Sequence, residues 1–463
     1  FGPSGRGREG LAHSDHANRW TRPEAGRLPT PEPSRPVHRG PTLANQYADG
    51  VIPERFAPVL RELEPIAERF RAAGHRLYLV GGTVRHLLVE SDATEHDLDL
   101  TTDARPGEIK ACLEGWADAL WTQGEKFGTI GANKVDGASG ETRVYEITTF
   151  RAEAYTDDSR KPHIVFADEI EADLSRRDFT VNAMALELTA DGGDPKLVDP
   201  FGGAVDLAQR VLRTPLGPEV SFSDDPLRML RAARFIARYQ LQPTEQVVAA
   251  VNEMAPRLEI VSAERIRDEL DKLMVVDHPA DGLWFLVDTG LAEQFLPELP
   301  NMRLEHDPIH RHKDVLTHTI AVVENVRPPH EVPAIVAGER PSFDFRITRL
   351  AALFHDVGKP KTRGYQKGKG TTFHHHDVVG ARITKKRMTQ KIFIHTPSVG
   401  SIVRMSSAAV SFRCLALLLE SGVRISTALQ ITSDSAPHFY YKNFFANIKE
   451  HINDGLSMQE SFL

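Results

Sequence analysis

Between Leu77 and Thr101 the chain runs Leu-Tyr-Leu-Val, then Gly-Gly-Thr-Val-Arg, crosses a short helix-like stretch, and returns as His-Asp-Leu-Asp-Leu-Thr. Few folds accept that order. The first four residues read as an apolar strand. In the second strand Asp97 and Asp99 alternate with Leu98 and Leu100, so a period of two puts both carboxylates on one face and both leucines in the core. Two carboxylates on one face call for a cation, and hard oxygen ligands suit Mg²⁺, which in pairs assists phosphoryl transfer. Gly81 and Gly82 end the first strand where a backbone without Cβ can approach phosphate, and Arg85 follows one turn later. The expectation is a nucleotide and metal site with Asp97 and Asp99 as catalytic metal ligands and Gly82 and Arg85 against the nucleotide.

A chain of 463 residues is long enough for several domains, each with its own core. Its net charge of −8 argues against a generally basic nucleic-acid binder, so any RNA contact must come from a local patch. The two cysteines, Cys112 and Cys414, stand far apart without metal-ligand neighbours, which argues against a disulfide framework or a zinc site. No apolar run approaches the roughly 20 residues that span a bilayer, and a cytoplasmic protein is expected. The stretch to about Asn45 is rich in Pro, Gly, Arg and Ser without hydrophobic periodicity, and residues 1–50 read as a disordered tail.

From Pro53, apolar residues at Phe56, Val59, Leu60, Leu63, Ile66, Ala67 and Phe70 follow helical spacing up to a stop at Gly74. Thr129–Val135 and Arg143–Phe150 are β-branched and bounded by turns, so residues 51–200 make a small α+β head. After about Pro200 helical periodicity takes over, through Leu227–Tyr239, Gln246–Met254 and Ala263–Met274. Pro226 suits the first position of a helix with Asp225 as its cap. Arg228, Arg231, Arg234 and Arg238 then share one face, a stripe that repels itself by a few tenths of a kcal/mol per pair and is better explained by an external anion than by helix stability.

These motifs, in this order, resemble the nucleotidyltransferase superfamily, in the branch holding tRNA nucleotidyltransferases (CCA-adding enzymes) and bacterial poly(A) polymerases. The resemblance covers roughly Phe56 to Met388. It implies template-independent transfer of CMP and AMP from CTP and ATP to the 3′ end of tRNA, with release of pyrophosphate and Mg²⁺ as cofactor. Arg-Arg-Asp with Asn four residues beyond Asp matches the family's ribose and triphosphate motif, which implies roles for Arg177, Asp178 and Asn182. Ser-Asp-Asp-Pro-Leu-Arg matches the motif whose Asp and Arg pair with the edge of the incoming base, so Asp225 and Arg228 inherit that choice, and Arg231 and Arg234 reach the triphosphate or the helix packing. Glu146 is the candidate for an added carboxylate. The segment around Gly202 and Gly203 is similar to the family's hinge. His86 stands where the family usually has Asp.

Residues 201–300 are then a helical neck and RNA-binding region. Beyond them Leu-Phe-His-Asp-Val-Gly-Lys-Pro and Phe-His-His-His-Asp resemble the HD phosphohydrolase domain, which implies a second divalent metal on His318, His355, Asp356 and His376 within a truncated helical region over 301–390; His310 and His312 lie just upstream. From about Ile392 the chain resembles the cytoplasmic helical domain of the inner-membrane platform protein of type II secretion and type IV pilus systems, with Tyr440, Tyr441 and Asp454–Phe462 extending the match. Residues 391–463 are expected to form a helical bundle of foreign origin, fused or chimeric. A poly(A) polymerase, a phosphohydrolase acting through the histidines, and a secretion assembly module are the competing readings.

Overall fold

A computed structural model describes residues 54–89, 97–135, 140–154, 163–188, 195–304, 314–336, 338, 342–366, 370–389, 415, 418–419, 423–435 and 439–453. The expected tail, His310, His312, the stretch from Ile392 to Cys414, and Asp454–Phe462 lie outside these residues. The architecture is an α+β head followed by a mostly helical body. Its contacts divide it into two compact units, residues 1–225 with 239–253, and residues 226–238 with 254–463.

In the first unit a turn at Glu54–Phe56 leads into the helix Ala57–Ala72, which buries Leu63, Ile66, Ala67 and Phe70 and stops at Gly74 with φ +82°. Complete burial of a side chain of this size contributes about 1.5–3 kcal/mol, enough to hold the helix together across the internal Pro65. Strands β1 (Leu77–Val80), β2 (Asp97–Thr102), β3 (Ala119–Trp121), β4 (Thr129–Val135) and β5 (Thr142–Thr149) follow. A separate hairpin, β6 (Arg151–Ala154) with β7 (His163–Phe166), precedes β8 (Ala185–Glu187) and β9 (Lys196–Val198). The main sheet has the order β3-β4-β5-β2-β1-β8-β9, with β2 and β5 parallel and the other pairs antiparallel.

The alternation read from the sequence holds. Leu98, Leu100, Ile130, Ala132, Tyr145 and Ile147 are buried, whereas Asp99 and Glu146 are exposed on the opposite side of the strands. The helix Pro106–Leu113 buries Ile109, Cys112 and Leu113. Between β1 and β2 the helix Gly82–Val89 is buried from Thr83 to Leu88, and Arg55 donates to the carbonyls of Leu87 and Leu88 at its end, satisfying acceptors that the helix leaves open.

At the hinge-like segment the two glycines differ. Gly202 is left-handed (φ +71°) with open space around it, but a Cβ on Gly203 would overlap the carbonyl oxygen of Thr180. Asp199 accepts from the amides of Gly203 and Ala204 at 2.7 and 2.9 Å, so the start of helix Gly203–Gln209 is pinned. Gly203 is required for close packing.

In the second unit the Leu227–Tyr239 helix buries Leu227, Met229, Leu230, Ala232, Ala233, Phe235, Ile236 and Ala237. Gly282 lets a neighbouring helix approach it, since a Cβ there would stand 2.5 Å from the Ala233 carbonyl oxygen. The HD region is helical as expected apart from one addition, an antiparallel hairpin pairing Arg363–Gln366 with Gly370–Phe373. Near the C-terminus the helices Ile425–Ser435 and Phe439–Asn453 share a core of Leu415, Ala428, Leu429, Phe445 and Ile448.

Candidate active site and metal centre

The head site is built on one row of the sheet. In the parallel pairing of β2 with β5, Asp99 lies opposite Glu146, and Asp97 opens β2 two residues earlier. Register partners share a face, so Glu146 stands beside Asp99 as an adjoining exposed carboxylate. Gly81 turns the chain away from β1 at φ +76°, and a Cβ there would meet Arg177 Nη1 at 3.4 Å and Asp99 Oδ2 at 3.5 Å. Gly81 thus leaves open the gap in which a carboxylate and a guanidinium converge. These oxygens fit a hard divalent cation, and a neighbouring guanidinium fits the phosphate charge that such a cation carries.

Arg177 is held by a residue the sequence reading did not select. Asp173 is buried and accepts from Arg177 Nη2 at 3.1 Å and from the Arg151 amide at 3.3 Å. The i, i+4 spacing from Asp173 to Arg177 was the available signal.

Arg85, Asp178 and Asn182 form an internal chain. Asp178 Oδ1 accepts from the Phe179 amide at 2.9 Å and from Asn182 Nδ2 at 2.8 Å, while Asn182 Oδ1 accepts from Arg85 Nη1. Arg85 Nη2 donates to the Tyr239 hydroxyl at 2.7 Å, and its guanidinium lies 4.5 Å from that ring's centre. All three are buried, Arg85 being 7 % exposed. The chain joins the strand-following helix to the Arg-Arg-Asp segment, and Tyr239 was missed because a helix-terminal tyrosine has no local pattern. Gly82 starts the helix next to Arg85, and His86 is buried.

The arginine stripe corrects an expectation. No external anion is needed to explain Arg231 and Arg234, because buried Glu269 of the Ala263–Met274 helix lies 3.8 Å from Arg231 Nη1 and accepts from Arg234 Nε at 2.8 Å. Both guanidinia also approach the Phe235 ring, at 5.9 and 5.0 Å. Counting acids only within the helix overlooked a partner 35 residues later. Asp225 is half-buried just before the helix and Arg228 is half-buried in its first turn.

In the second unit Asp356 is buried, with His355 Nε2 at 3.1 Å and His318 Nε2 at 3.8 Å from Oδ2, and His376 Nε2 at 3.8 Å from Oδ1. His355 Nδ1 and His376 Nδ1 face the Ala352 and Phe373 carbonyls, each at 2.8 Å, which fixes those nitrogens as donors and turns Nε2 toward Asp356. Ligating atoms of His318, His355 and Asp356 lie within 4.8 Å of one another, and this donor set fits a divalent ion. Burial alone would raise the Asp356 carboxyl, but hydrogen bonds from His355 and Lys359 outweigh it and hold the group down at about 2; the Asp356 contact raises His355. A Cβ on Gly358 would overlap the His376 carbonyl, so this glycine lets the two metal-site segments touch. Asp356→Asn is expected to remove one Mn²⁺ site and leave the head's metal binding in place, read by titration calorimetry on the full chain; unchanged stoichiometry and affinity would remove these residues from the metal centre.

Comparisons with known proteins agree with the order of these sites. Residues 77–213 match the poly A polymerase head domain, residues 240–302 the probable RNA- and SrmB-binding site of polymerase A, and residues 315–407 the HD domain. The head is thus similar to a poly A polymerase head domain, and the later region is similar to an HD domain, with a match that continues past Met388. Among curated relatives, the CCA-adding enzyme of Limosilactobacillus reuteri is 36% identical over 251 residues, covering 54% of this chain and 57% of the relative. That of Latilactobacillus sakei is 38% identical over 250 residues, 54% of this chain and 58% of the relative. The chain thus spans little more than half the length of these relatives. The Bacillus stearothermophilus CCA-adding enzyme crystallised with CTP aligns at 24% identity and TM-score 0.45, over 87% of this chain and 94% of that one. Among the described residues no helix is long and apolar enough to cross a membrane.

Proposed function

We propose that this protein adds CMP and AMP from CTP and ATP to the 3′ end of tRNA and releases pyrophosphate. The observation that carries the reading is the convergence of Asp99 and Arg177 at the Gly81 turn, with Glu146 opposite Asp99 on the next strand, in a head whose relatives are CCA-adding enzymes. Asp97 and Asp99 would hold Mg²⁺, with Glu146 as the adjoining carboxylate. When bound, the ions lower the pKa of the attacking 3′-hydroxyl and stabilise the leaving oxygen. Arg177, braced by Asp173, bears triphosphate charge as it shifts toward pyrophosphate. Asp178 and Asn182, buried and bonded to each other and to Arg85, fix the segment that presents Arg177 beneath the sugar site; Gly82 and Arg85 support it from the facing helix.

Asp225 and Arg228 choose the base. A carboxylate acceptor beside a guanidinium donor can satisfy the Watson–Crick edges of C and A and fail those of G and U. Arg231 and Arg234, tied to Glu269, hold the helix that carries Arg228. The HD centre would take a transition-metal ion and act on phosphoesters, and the helices after residue 423 stand as an added bundle resembling a secretion-platform domain.

The test is product length on tRNA lacking its terminal CCA. Three added nucleotides support the reading, a long A tail makes the protein a poly(A) polymerase, and no incorporation overturns nucleotidyl transfer. Arg228→Ala is expected to reduce discrimination between correct and incorrect nucleotides by about tenfold or more while changing the KM for CTP and ATP less than threefold. Offering the four triphosphates singly reads both quantities, and unchanged discrimination would remove Arg228 from base choice.

A further inference from the structure

The row that holds the carboxylates continues to the sheet edge. Across β5 and β4, Glu146 is paired with Gly131, and across β4 and β3 Gly131 is paired with Trp121. Trp121, Gly131, Glu146 and Asp99 therefore occupy one line on one face of the sheet. A Cβ on Gly131 would overlap the indole at Cε2 and Nε1, so the ring lies flat across β4 in the space that the glycine leaves. Trp121 is half-buried, and the carboxylates beyond it are exposed. The same face carries Thr129, whose Oγ1 accepts from Arg151 Nη2 at 2.6 Å. Strands are spaced about 4.8 Å apart, so the indole over β4 sits about 10 Å along the row from Asp99.

We infer that Trp121 is a stacking platform for the terminal base of the acceptor RNA, the strand whose 3′-hydroxyl is extended. This rests on the nucleotidyl-transfer reading of the head. An indole offers every base a π-face and no base-specific edge, which suits an acceptor whose terminal base changes after each addition. An apolar ring in a row of carboxylates also gives the base a surface that does not compete for the cation. Gly131 serves the platform by lacking a side chain.

Trp121→Leu keeps apolar cover over Gly131 and removes the aromatic face, whereas Trp121→Phe retains one. The expected result is a rise of about tenfold in KM for acceptor RNA with Trp121→Leu, under threefold with Trp121→Phe, and a KM for CTP and ATP changed less than twofold in either. An acceptor with an abasic terminal sugar should lose a similar factor on the unaltered protein and little more on Trp121→Leu. Equal KM for RNA in all three proteins, or an abasic penalty that persists in full in Trp121→Leu, would overturn the platform. Binding is also read without turnover, as quenching of the fluorescence difference between the unaltered protein and Trp121→Phe by a short single-stranded RNA. Quenching without any incorporation would sink the proposed function and keep the platform; incorporation without quenching or KM change would do the reverse.

Discussion

Asp99→Ala should lower nucleotide incorporation by at least about a thousandfold, equivalent to roughly 4 kcal/mol of transition-state stabilisation, and leave the fold intact. The two halves of that expectation have different physical sources. Asp99 is exposed, while the stability of β2 comes from Leu98 and Leu100 on the buried side and from the pairing with β1 and β5. Alanine in place of one exposed strand residue costs at most about 1 kcal/mol. Activity loses an anionic ligand that no neighbour can replace, since Glu146 is one strand away and retains its own position. Asp97→Ala is expected to behave alike. Labelled CMP incorporation, read beside the thermal midpoint, checks both halves. Retained activity with purified protein would exclude Asp99 from the metal site; lost activity with a collapsed midpoint would make its role structural.

The sequence made the site's periodic parts legible and hid the parts that depend on pairing. The alternation of Leu98, Asp99 and Leu100, the limits of β1 and β4, and the helices Leu227–Tyr239 and Ala263–Met274 follow from local patterns that packing did not override. Short edge strands such as Ala119–Trp121 and Lys196–Val198 carry too few residues for a period to show, and they exist because the sheet supplies partners. The position of Glu146 beside Asp99 depends on parallel register, which no local pattern encodes. Glu269 against Arg231 and Arg234, and Tyr239 against Arg85, are tertiary pairs of the same kind. Arginine spacing showed that the charges share a face. Only the fold showed that an acid of the same chain meets two of them. The expected phosphate contact at Arg85 illustrates the limit: a guanidinium one turn after a glycine pair serves an anion or a buried network equally well, and here Asn182 and Tyr239 occupy two of its nitrogens.

A buried arginine joins the helices that carry the metal ligands, and its loss is expected to have the largest effect on stability. Arg349, 1 % exposed on the Phe345–Phe354 helix, donates to the carbonyls of Met274, Val276 and Asp277 at and beyond the end of the Ala263–Met274 helix, and to Val326 at the end of Val315–Asn325. Its guanidinium also lies 4.2 Å from the Phe345 ring centre. Burial lowers its pKa from the usual arginine value, yet a guanidinium remains charged at neutral pH, and two helix C-termini supply the negative dipole ends that favour it. Arg349→Met matches the stem and removes the fork, leaving several buried acceptors without donors at about 1–3 kcal/mol each. A loss of about 3–5 kcal/mol is expected after relaxation, seen as a lowered denaturation midpoint. Arg349→Lys keeps the charge but has a single nitrogen, and should recover only part. Because His318 lies on Val315–Asn325 and Asp356 follows Phe345–Phe354, Arg349→Met should also weaken Mn²⁺ binding under conditions where the chain remains folded. A lowered midpoint with unchanged metal affinity would confine Arg349 to stability, and an unchanged midpoint would show that water satisfies these carbonyls at little cost.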